Sequence, residues 1–200
     1  MYGEIYNQPL TNIVFMGMGE PLLNYKNVLR SIHFITSEEG LNMSYKRITL
    51  STSGISKMIR KLADDNVKVN LALSLHAANE ELRKKIMPIG KSNTLEEIRD
   101  SLKYYFSKTK KKVTYEYVLL RDVNDSIEDA YQLYKYTKHL SSKVNIIEYN
   151  AVEGLEFKKS SFEKTEKFIG YLLKKGVNVS LRRSRGKDIN AACGQLANKN

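Results

Sequence analysis

The chain has 200 residues with 42% hydrophobic content, enough for the core of one domain or a large part of one, and its formal net charge is +11. Its single cysteine, Cys193, excludes a disulfide framework and fits a reducing compartment. No apolar run approaches the roughly 18 residues of a membrane span, and the N-terminus has no signal-peptide pattern. These features predict a cytoplasmic protein with no membrane partner.

The charge excess comes from 33 lysine and arginine residues against 22 aspartate and glutamate residues. Such a balance indicates a polyanionic partner, with nucleic acid as the leading candidate. It is equally compatible with lysine used as a solubilising surface residue. The densest basic run, Lys108 and 110–112, lies between a helix and a strand and is interpreted as a solvated turn.

Strand-like and helix-like segments alternate along the chain, which predicts a parallel sheet with right-handed crossovers. An open α/β sheet and a barrel both fit, but six units are too few for a closed eight-fold barrel. Strands are predicted at 12–17, 46–51, 67–75, 113–120, 143–149 and 177–182. Helices are predicted at 25–37, 79–86, 94–106, 126–139 and 160–174, and another helix face is marked by Ile55, Met58, Ile59 and Leu62.

Two helix starts carry capping signals. Asn79 precedes two glutamates and is the predicted N-cap of its helix. Thr94 is followed three residues later by Glu97, which is the spacing of a capping box. Gly176 is expected to close the last helix.

Polar residues follow several of the predicted strands, at the end of the sheet where α/β proteins bind ligands. Each segment alone fits a bland role: a tight turn, a helix cap or a structural histidine. Together they predict one site for a small polar ligand with amino, carboxylate or ribose groups. The residues placed at these strand ends are Glu20, Ser51, Ser74, His76 and Asn150.

Cys193 lies between small residues and after a basic segment. Nearby cations favour the thiolate, the nucleophilic form of cysteine, and small neighbours leave the sulfur accessible. Taken alone, the residue is better explained as a plain buried thiol. The basic residues are Arg182, Arg183, Arg185 and Lys187, and the small ones are Ala191, Ala192 and Gly194.

Five segments, in this order, resemble the radical S-adenosylmethionine RNA methyltransferases of the RlmN type. The resemblance covers residues 12–196. It implies an α/β fold, a partial (β/α)6 TIM-like barrel of the radical SAM type that lacks its first strand, with residues 1–200 forming a single core domain. The segments are 17–24 (Gly-Met-Gly-Glu-Pro-Leu-Leu-Asn), 50–54 (Leu-Ser-Thr-Ser-Gly), 73–77 (Leu-Ser-Leu-His-Ala), 123–125 (Val-Asn-Asp) and 186–196 (Gly-Lys-Asp-Ile-Asn-Ala-Ala-Cys-Gly-Gln-Leu).

The resemblance implies methylation of carbon 2 of adenosine in 23S rRNA and tRNA, with S-adenosylmethionine and a [4Fe–4S] cluster as cofactors. It implies that Cys193 carries the methyl group as an S-methylcysteine intermediate and that Gly19 and Glu20 contact the amino end of S-adenosylmethionine. A monomer that takes electrons from a donor such as flavodoxin is expected. The remaining cosubstrate site is expected to be lined by Ser51, Ser74, Leu75, His76 and Asn150.

The sequence departs from this family in its cysteines. The Cys-x3-Cys-x2-Cys motif that holds the cluster precedes the Gly-Met-Gly-Glu-Pro motif in the family, and it is absent here, as is the cysteine that resolves the intermediate. We therefore expect this chain to be the C-terminal portion of a longer enzyme, without metal ligands of its own and inactive alone. Smaller departures are Ala151, where the family has proline, and Asn190, where aspartate is common.

Two alternatives stay open from the sequence. One is a Cfr-like methyltransferase acting on carbon 8 of adenine in rRNA, although the Gly-Glu-Pro and Leu-Ser-Thr-Ser-Gly strings favour the RlmN type. The other is a truncated, non-catalytic RNA-binding module.

Overall fold

The computed structural model describes residues 7–87, 92–152 and 154–182. Six strands form one sheet in which every neighbouring pair is parallel and the spatial order follows the chain. The strands are β1 (Ile13–Phe15), β2 (Ile48–Thr52), β3 (Asn70–Ser74), β4 (Val113–Leu119), β5 (Ser142–Glu148) and β6 (Val179–Arg182).

Helices connect each strand to the next, and right-handed crossovers between sequential strands place all of them on one face of the sheet. Two short 3₁₀ turns, Pro21–Asn24 and Tyr45–Arg47, lie beside the first two strands. The α-helices are α1 (Tyr25–Thr36), α2 (Ser56–Asp64), α3 (Glu80–Ile86), α4 (Leu95–Thr109), α5 (Ile127–Thr137) and α6 (Phe162–Lys174).

The predicted alternation of strands and helices is confirmed, with element ends shifted by a few residues. The largest difference at a strand start is in β3, which begins at Asn70 rather than at residue 67. The carbonyls of Val67 and Val69 accept hydrogen bonds from the Tyr105 hydroxyl, at 3.0 Å and 2.7 Å. This segment is therefore satisfied by a helix side chain instead of by a neighbouring strand.

The predicted helix caps are also confirmed. The Asn79 side chain accepts a hydrogen bond from the Leu82 amide at 3.0 Å. Thr94 and Glu97 form the reciprocal capping box that begins α4. Gly176 follows α6 with φ +75, a conformation that glycine adopts without steric cost.

The two faces of the sheet have opposite chemistry. Side chains facing the helices are apolar and almost fully buried, such as Leu50, Leu71 and Ile146. Alternate residues face the concave side, where the curled sheet encloses a cavity of about 300 Å³. The polar side chains that line most of this cavity are Thr49, Asn70, Thr114, Glu116, Asn145 and Arg182. The apolar exceptions are Val14, Met16 and Ala72.

The sheet curls without closing. Arg182 at the end of β6 reaches across the concave side, and its Nη1 atom lies 4.0 Å from the Met16 sulfur just after β1. Among the described residues, β1 pairs only with β2, and β6 pairs only with β5. The predicted α/β partial barrel is thus confirmed. The single domain predicted over residues 1–200 extends beyond the described ranges and stays a prediction.

Within the part of the chain that the structure describes, no helix combines the length and the apolar character that crossing a bilayer requires.

Substitution of Tyr105 by phenylalanine tests the contact that precedes the start of β3. Tyr105 is fully buried, and the change removes its hydroxyl from two backbone carbonyls. We expect the free energy of unfolding to fall by about 1–2 kcal/mol, measured by urea denaturation. Tyr131→Phe, at a ring that is 40% exposed, is the matched control and should change stability by less than about 0.5 kcal/mol. Equal stability of the two variants would contradict this role of the hydroxyl.

Candidate functional site

A cleft of about 490 Å³ opens at the carboxyl ends of the strands. Its volume lies in the range of roughly 300–1,000 Å³ that is typical of small-molecule sites. The structure therefore brings together five of the predicted site residues, four from the strand ends and Gly19 from the resemblance, although their contact with a ligand stays a prediction. Those five are Gly19, Ser51, Ser74, His76 and Asn150.

Glu20 lies beside the cleft rather than in its lining. One carboxylate oxygen accepts a hydrogen bond from the Leu22 amide at 3.0 Å, which caps the 3₁₀ turn that Pro21 begins. The other oxygen accepts from both the amide and the hydroxyl of Ser53, at 2.6 Å each. Glu20 thus joins the loop after β1 to the loop after β2, and its carboxylate keeps room for one more donor.

The loop after β2 is fixed in shape by its neighbours. Gly54 has φ +101, and a Cβ at this position would lie 2.8 Å from the Ile98 side chain, so only glycine fits. The Ser53 carbonyl accepts a hydrogen bond from the Arg83 guanidinium at 2.5 Å. Arg83 is only 1% exposed, which makes it a buried support of the loop.

His76 is held as a neutral ring. It has φ +56, a left-handed conformation that is rare outside glycine. Its Nδ1 atom accepts a hydrogen bond from the Val118 amide at 3.1 Å, so the ring proton belongs on Nε2. Burial, reinforced by the positive charge of Arg83, lowers the pKa of His76 to about 4.

Asn124 explains the conformation of His76. Its amide nitrogen donates to the His76 carbonyl at 2.7 Å and to the Val118 carbonyl at 2.8 Å. Its amide oxygen accepts from the Leu120 amide at 2.7 Å. Asn124 is fully buried, so the Val-Asn-Asp motif is a brace between the ends of β3 and β4 rather than part of the cleft surface.

Leu75 is the predicted site residue whose side chain lies away from the cleft. It is fully buried in the hydrophobic core, and its amide donates to the Glu116 carbonyl at 3.0 Å. Any contact between Leu75 and a bound ligand would therefore involve the backbone.

The two ends of the cleft differ in chemistry. The end here called polar has the Ser51 and Ser53 hydroxyls beside Phe15, Met16 and Pro21, and the end here called apolar is mainly hydrophobic but includes Glu148 and Asn150. The polar end lies at the loops after β1 and β2. The apolar end lies beyond β4 and β5, where the rings of Tyr149 and Phe157 meet edge to face with centroids 6.3 Å apart. The other apolar residues at this end are Val118, Leu120, Ile147, Val152 and Leu155.

The basic tail lies largely outside the described residues, including Cys193, Arg183, Arg185 and Lys187; only Arg182 is described. No group of three or more His, Cys, Asp or Glu side chains within 7–87, 92–152 and 154–182 is arranged to hold a metal ion.

Sequence reasoning missed Ser53 and Glu116, which line the cleft, and Arg83, which supports the loop after β2. A signal existed for Glu116, since it is the one charged residue in strand β4, whose other residues are apolar or aromatic apart from Thr114. Ser53 belongs to the hydroxyl-rich Leu-Ser-Thr-Ser-Gly string. No sequence signal distinguishes Arg83 from the lysines beside it, because only packing shows that it is buried.

Comparisons with known proteins agree on one family. Residues 2–134 match the Radical SAM superfamily. The chain is 57% identical to a probable dual-specificity RNA methyltransferase RlmN of Flavobacterium psychrophilum, over 97% of this chain and 56% of that protein. It is 55% identical to a protein of the same name from Cytophaga hutchinsonii, over 98% of this chain and 54% of that protein.

A solved structure gives the same result. The crystal structure of a radical SAM methyltransferase from Sphaerobacter thermophilus superimposes with a TM-score of 0.94 at 39% identity, covering 97% of this chain and 57% of that one. The resemblance to RlmN-type proteins that the motifs indicate is therefore confirmed as a similarity. The chain spans about half the length of the curated relatives it matches.

The neutral state of His76 predicts a pH dependence of stability. The ring titrates near 6.5 in the unfolded chain and near 4 in the folded one, so between these pH values the unfolded state binds one more proton. The free energy of unfolding is expected to fall as the pH is lowered through this window. The contribution of His76 should be about 2 kcal/mol between pH 7 and pH 5.

Urea denaturation at both pH values measures this difference. His76→Asn, which tolerates the left-handed backbone, should be less stable at pH 7 but should lose less stability on acidification than the wild type. His33→Gln, at an exposed position on α1, is the control and should keep the wild-type pH dependence. An NMR titration that placed the pKa of His76 near 6.5 would show that the prediction is wrong.

Proposed function

Because the chain belongs to the radical SAM superfamily, we propose that it forms the S-adenosylmethionine-binding part of an RNA methyltransferase of the RlmN type, acting on carbon 2 of adenosine in 23S rRNA and tRNA. The observation that carries the proposal is the convergence of Ser51, Ser74, His76 and Asn150 on one cleft at the strand ends. The names and identities of the relatives support RNA as the substrate.

The cleft suits the three parts of S-adenosylmethionine. The amino-acid part of S-adenosylmethionine is charged and fits the polar end of the cleft. There Glu20 can accept a hydrogen bond from the ammonium group. The adenine is flat and apolar on its faces, and it fits between the apolar side chains near Tyr149 and Phe157. The ribose then lies between them, over β3 and β4. The neutral His76 ring adds no positive charge beside the sulfonium.

The [4Fe–4S] cluster of the superfamily has no site within this chain. Such a cluster requires cysteine thiolates, and the 200 residues contain one cysteine. The residues present therefore fit S-adenosylmethionine but not the cluster. The cluster ligands, and the resolving cysteine, are expected in other parts of the protein, in line with relatives that are nearly twice as long.

Cys193 is proposed as the methyl carrier. Its thiolate would attack the methyl carbon of the sulfonium, so that a new S–CH₃ bond forms while the old one breaks and S-adenosylhomocysteine leaves. The cations at Arg182, Arg183 and Arg185 support this role because they favour the thiolate and can contact RNA phosphates. An electron donor such as flavodoxin, a monomeric state and a cytoplasmic location complete the proposal.

Substitution of Ser74 by alanine tests the cosubstrate site. In the complete protein, loss of the hydroxyl should weaken S-adenosylmethionine binding about fivefold, since one hydrogen bond contributes about 1 kcal/mol. Isothermal titration calorimetry measures the affinity. Ser107→Ala, at an exposed hydroxyl on α4 that bonds its own helix, is the matched control and should bind like the wild type. Unchanged affinity of the Ser74 variant would remove this serine from the site.

Product analysis tests the activity. RNA modified by the complete protein, digested and analysed by mass spectrometry against standards, should contain 2-methyladenosine. Cys193→Ala should abolish it, whereas Glu163→Gln, at an exposed position on α6, should not change the yield. A product methylated at carbon 8 would assign the Cfr-like reaction instead. Normal methylation by Cys193→Ala would contradict the carrier role.

A further inference from the structure

Glu116 is a buried acid at the floor of the cleft that the proposed function does not use. It lies in the middle of the central strand β4, is 6% exposed, and lines both the cleft and the second cavity on the concave face. Burial raises the pKa of Glu116, while Asn145 and the charges of Arg182 and Lys143 oppose this rise. A polar group in such a place is costly unless it is hydrogen-bonded, so its partners are informative.

One oxygen of Glu116 is held by a relay of side chains across three strands. The Asn145 amide nitrogen donates to Oε1 at 2.9 Å, and the Ser180 hydroxyl donates to the Asn145 amide oxygen at 2.8 Å. The three residues are register partners on β4, β5 and β6. Because Ser180 engages the oxygen of Asn145, the amide turns its nitrogen to Glu116. The relay therefore fixes the orientation of the carboxylate.

The second oxygen, Oε2, is buried and has no hydrogen-bond partner among the described residues. The Arg182 guanidinium lines the same cavities, but it reaches the Met16 sulfur. A buried acceptor that its surroundings orient but leave unbonded is suited to a donor supplied by a ligand.

We propose that Oε2 of Glu116 accepts a hydrogen bond from a ribose hydroxyl of the nucleoside bound in the cleft. The inference rests on the proposed S-adenosylmethionine site and adds a binding residue to it. Position selects the ribose: Glu116 is the register partner of Ser74, in the middle of the row of strands. The ammonium end lies towards Glu20 and the base towards Tyr149, so the sugar is the part of the ligand that passes over Glu116.

Hydroxyl chemistry agrees with this position. A carboxylate is a good acceptor for a neutral hydroxyl, and a hydrogen bond to a charged group is stronger than one between neutral groups. The same pairing of an acid with a ribose hydroxyl is used in unrelated dinucleotide-binding folds. Glu116 would thereby distinguish a ribonucleoside from its deoxy counterpart.

The test is a double-mutant cycle that combines the substitution Glu116→Gln with the removal of one ribose hydroxyl from the ligand. In the complete protein, calorimetry measures binding of S-adenosylhomocysteine and of its 2′-deoxy and 3′-deoxy analogues to wild type and to Glu116→Gln. We expect one of the two deoxy analogues to bind the wild type about tenfold more weakly than the parent compound. Glu116→Gln should bind S-adenosylhomocysteine about tenfold more weakly than wild type does. In this variant, removal of the same hydroxyl from the ligand should lower the affinity by less than about twofold.

Two controls separate contact from general damage. Glu163→Gln makes the same substitution at an exposed residue and should retain the full deoxy discrimination. If Glu116→Gln does not fold, the wild-type comparison still decides, because wild type that binds all three ligands equally overturns the proposal. Equal deoxy penalties in wild type and Glu116→Gln also overturn it. A wild-type protein that binds no S-adenosylhomocysteine overturns the cosubstrate site itself, which is a distinct result.

Discussion

The alternation of side chains along parallel strands is the constraint on which this structure depends. Along the strands, residues facing the helices are apolar and residues facing the concave side are mostly polar, with Val14 and Ala72 as exceptions. Burial of one face therefore leaves the other facing the interior of an open barrel. A closed barrel would fill this interior with packed side chains, as in eight-stranded barrels. Here the six curled strands leave the interior open. Polar residues such as Thr114 and Asn145 therefore face a cavity rather than a packed core.

The cleft is precise because its loops are braced by buried polar contacts rather than by packing alone. Asn124 donates hydrogen bonds to carbonyls at the ends of β3 and β4. Arg83 donates to the Ser53 carbonyl in the loop after β2. Glu20 joins the first two loops through Ser53. These braces share one property: each side chain makes at least one hydrogen bond to the backbone of a neighbouring loop or strand end, which fixes the spacing between strand ends. Residues that shape the site are thus distinct, in large part, from those that face its ligand.

Electrostatics across the cleft complement a cationic sulfonium ligand. His76 is kept neutral by burial, so the imidazole adds no charge at the centre of the cleft. Glu20 lies beside the polar end, Glu116 lies at the floor, and Glu148, paired with Lys159, lies at the end of β5. Among the basic residues proposed to contact RNA, Arg183 and Arg185 follow β6 in the sequence, whereas Arg182 lines the cleft.

The sequence by itself determined the order of strands and helices, the helix caps at Asn79 and Thr94, and the grouping of Ser51, Ser74, His76 and Asn150 at strand ends. These features follow from local periodicity and from the geometry of parallel strands, which places successive carboxyl ends on one edge. The family also followed from the sequence, since its motifs are contiguous strings of residues.

Only the tertiary structure decided the roles of Glu116, Arg83 and Asn124, and the burial of Leu75 in the core. Their functions depend on contacts between residues that are far apart in the chain: Asn145 with Glu116, Arg83 with Ser53, Asn124 with His76. Periodicity shows which face of a strand a residue occupies, but it does not show which distant side chain meets it there. The orientation of the Glu116 carboxylate, and the absence of a hydrogen-bond partner for its Oε2 among the described residues, are properties of the folded sheet.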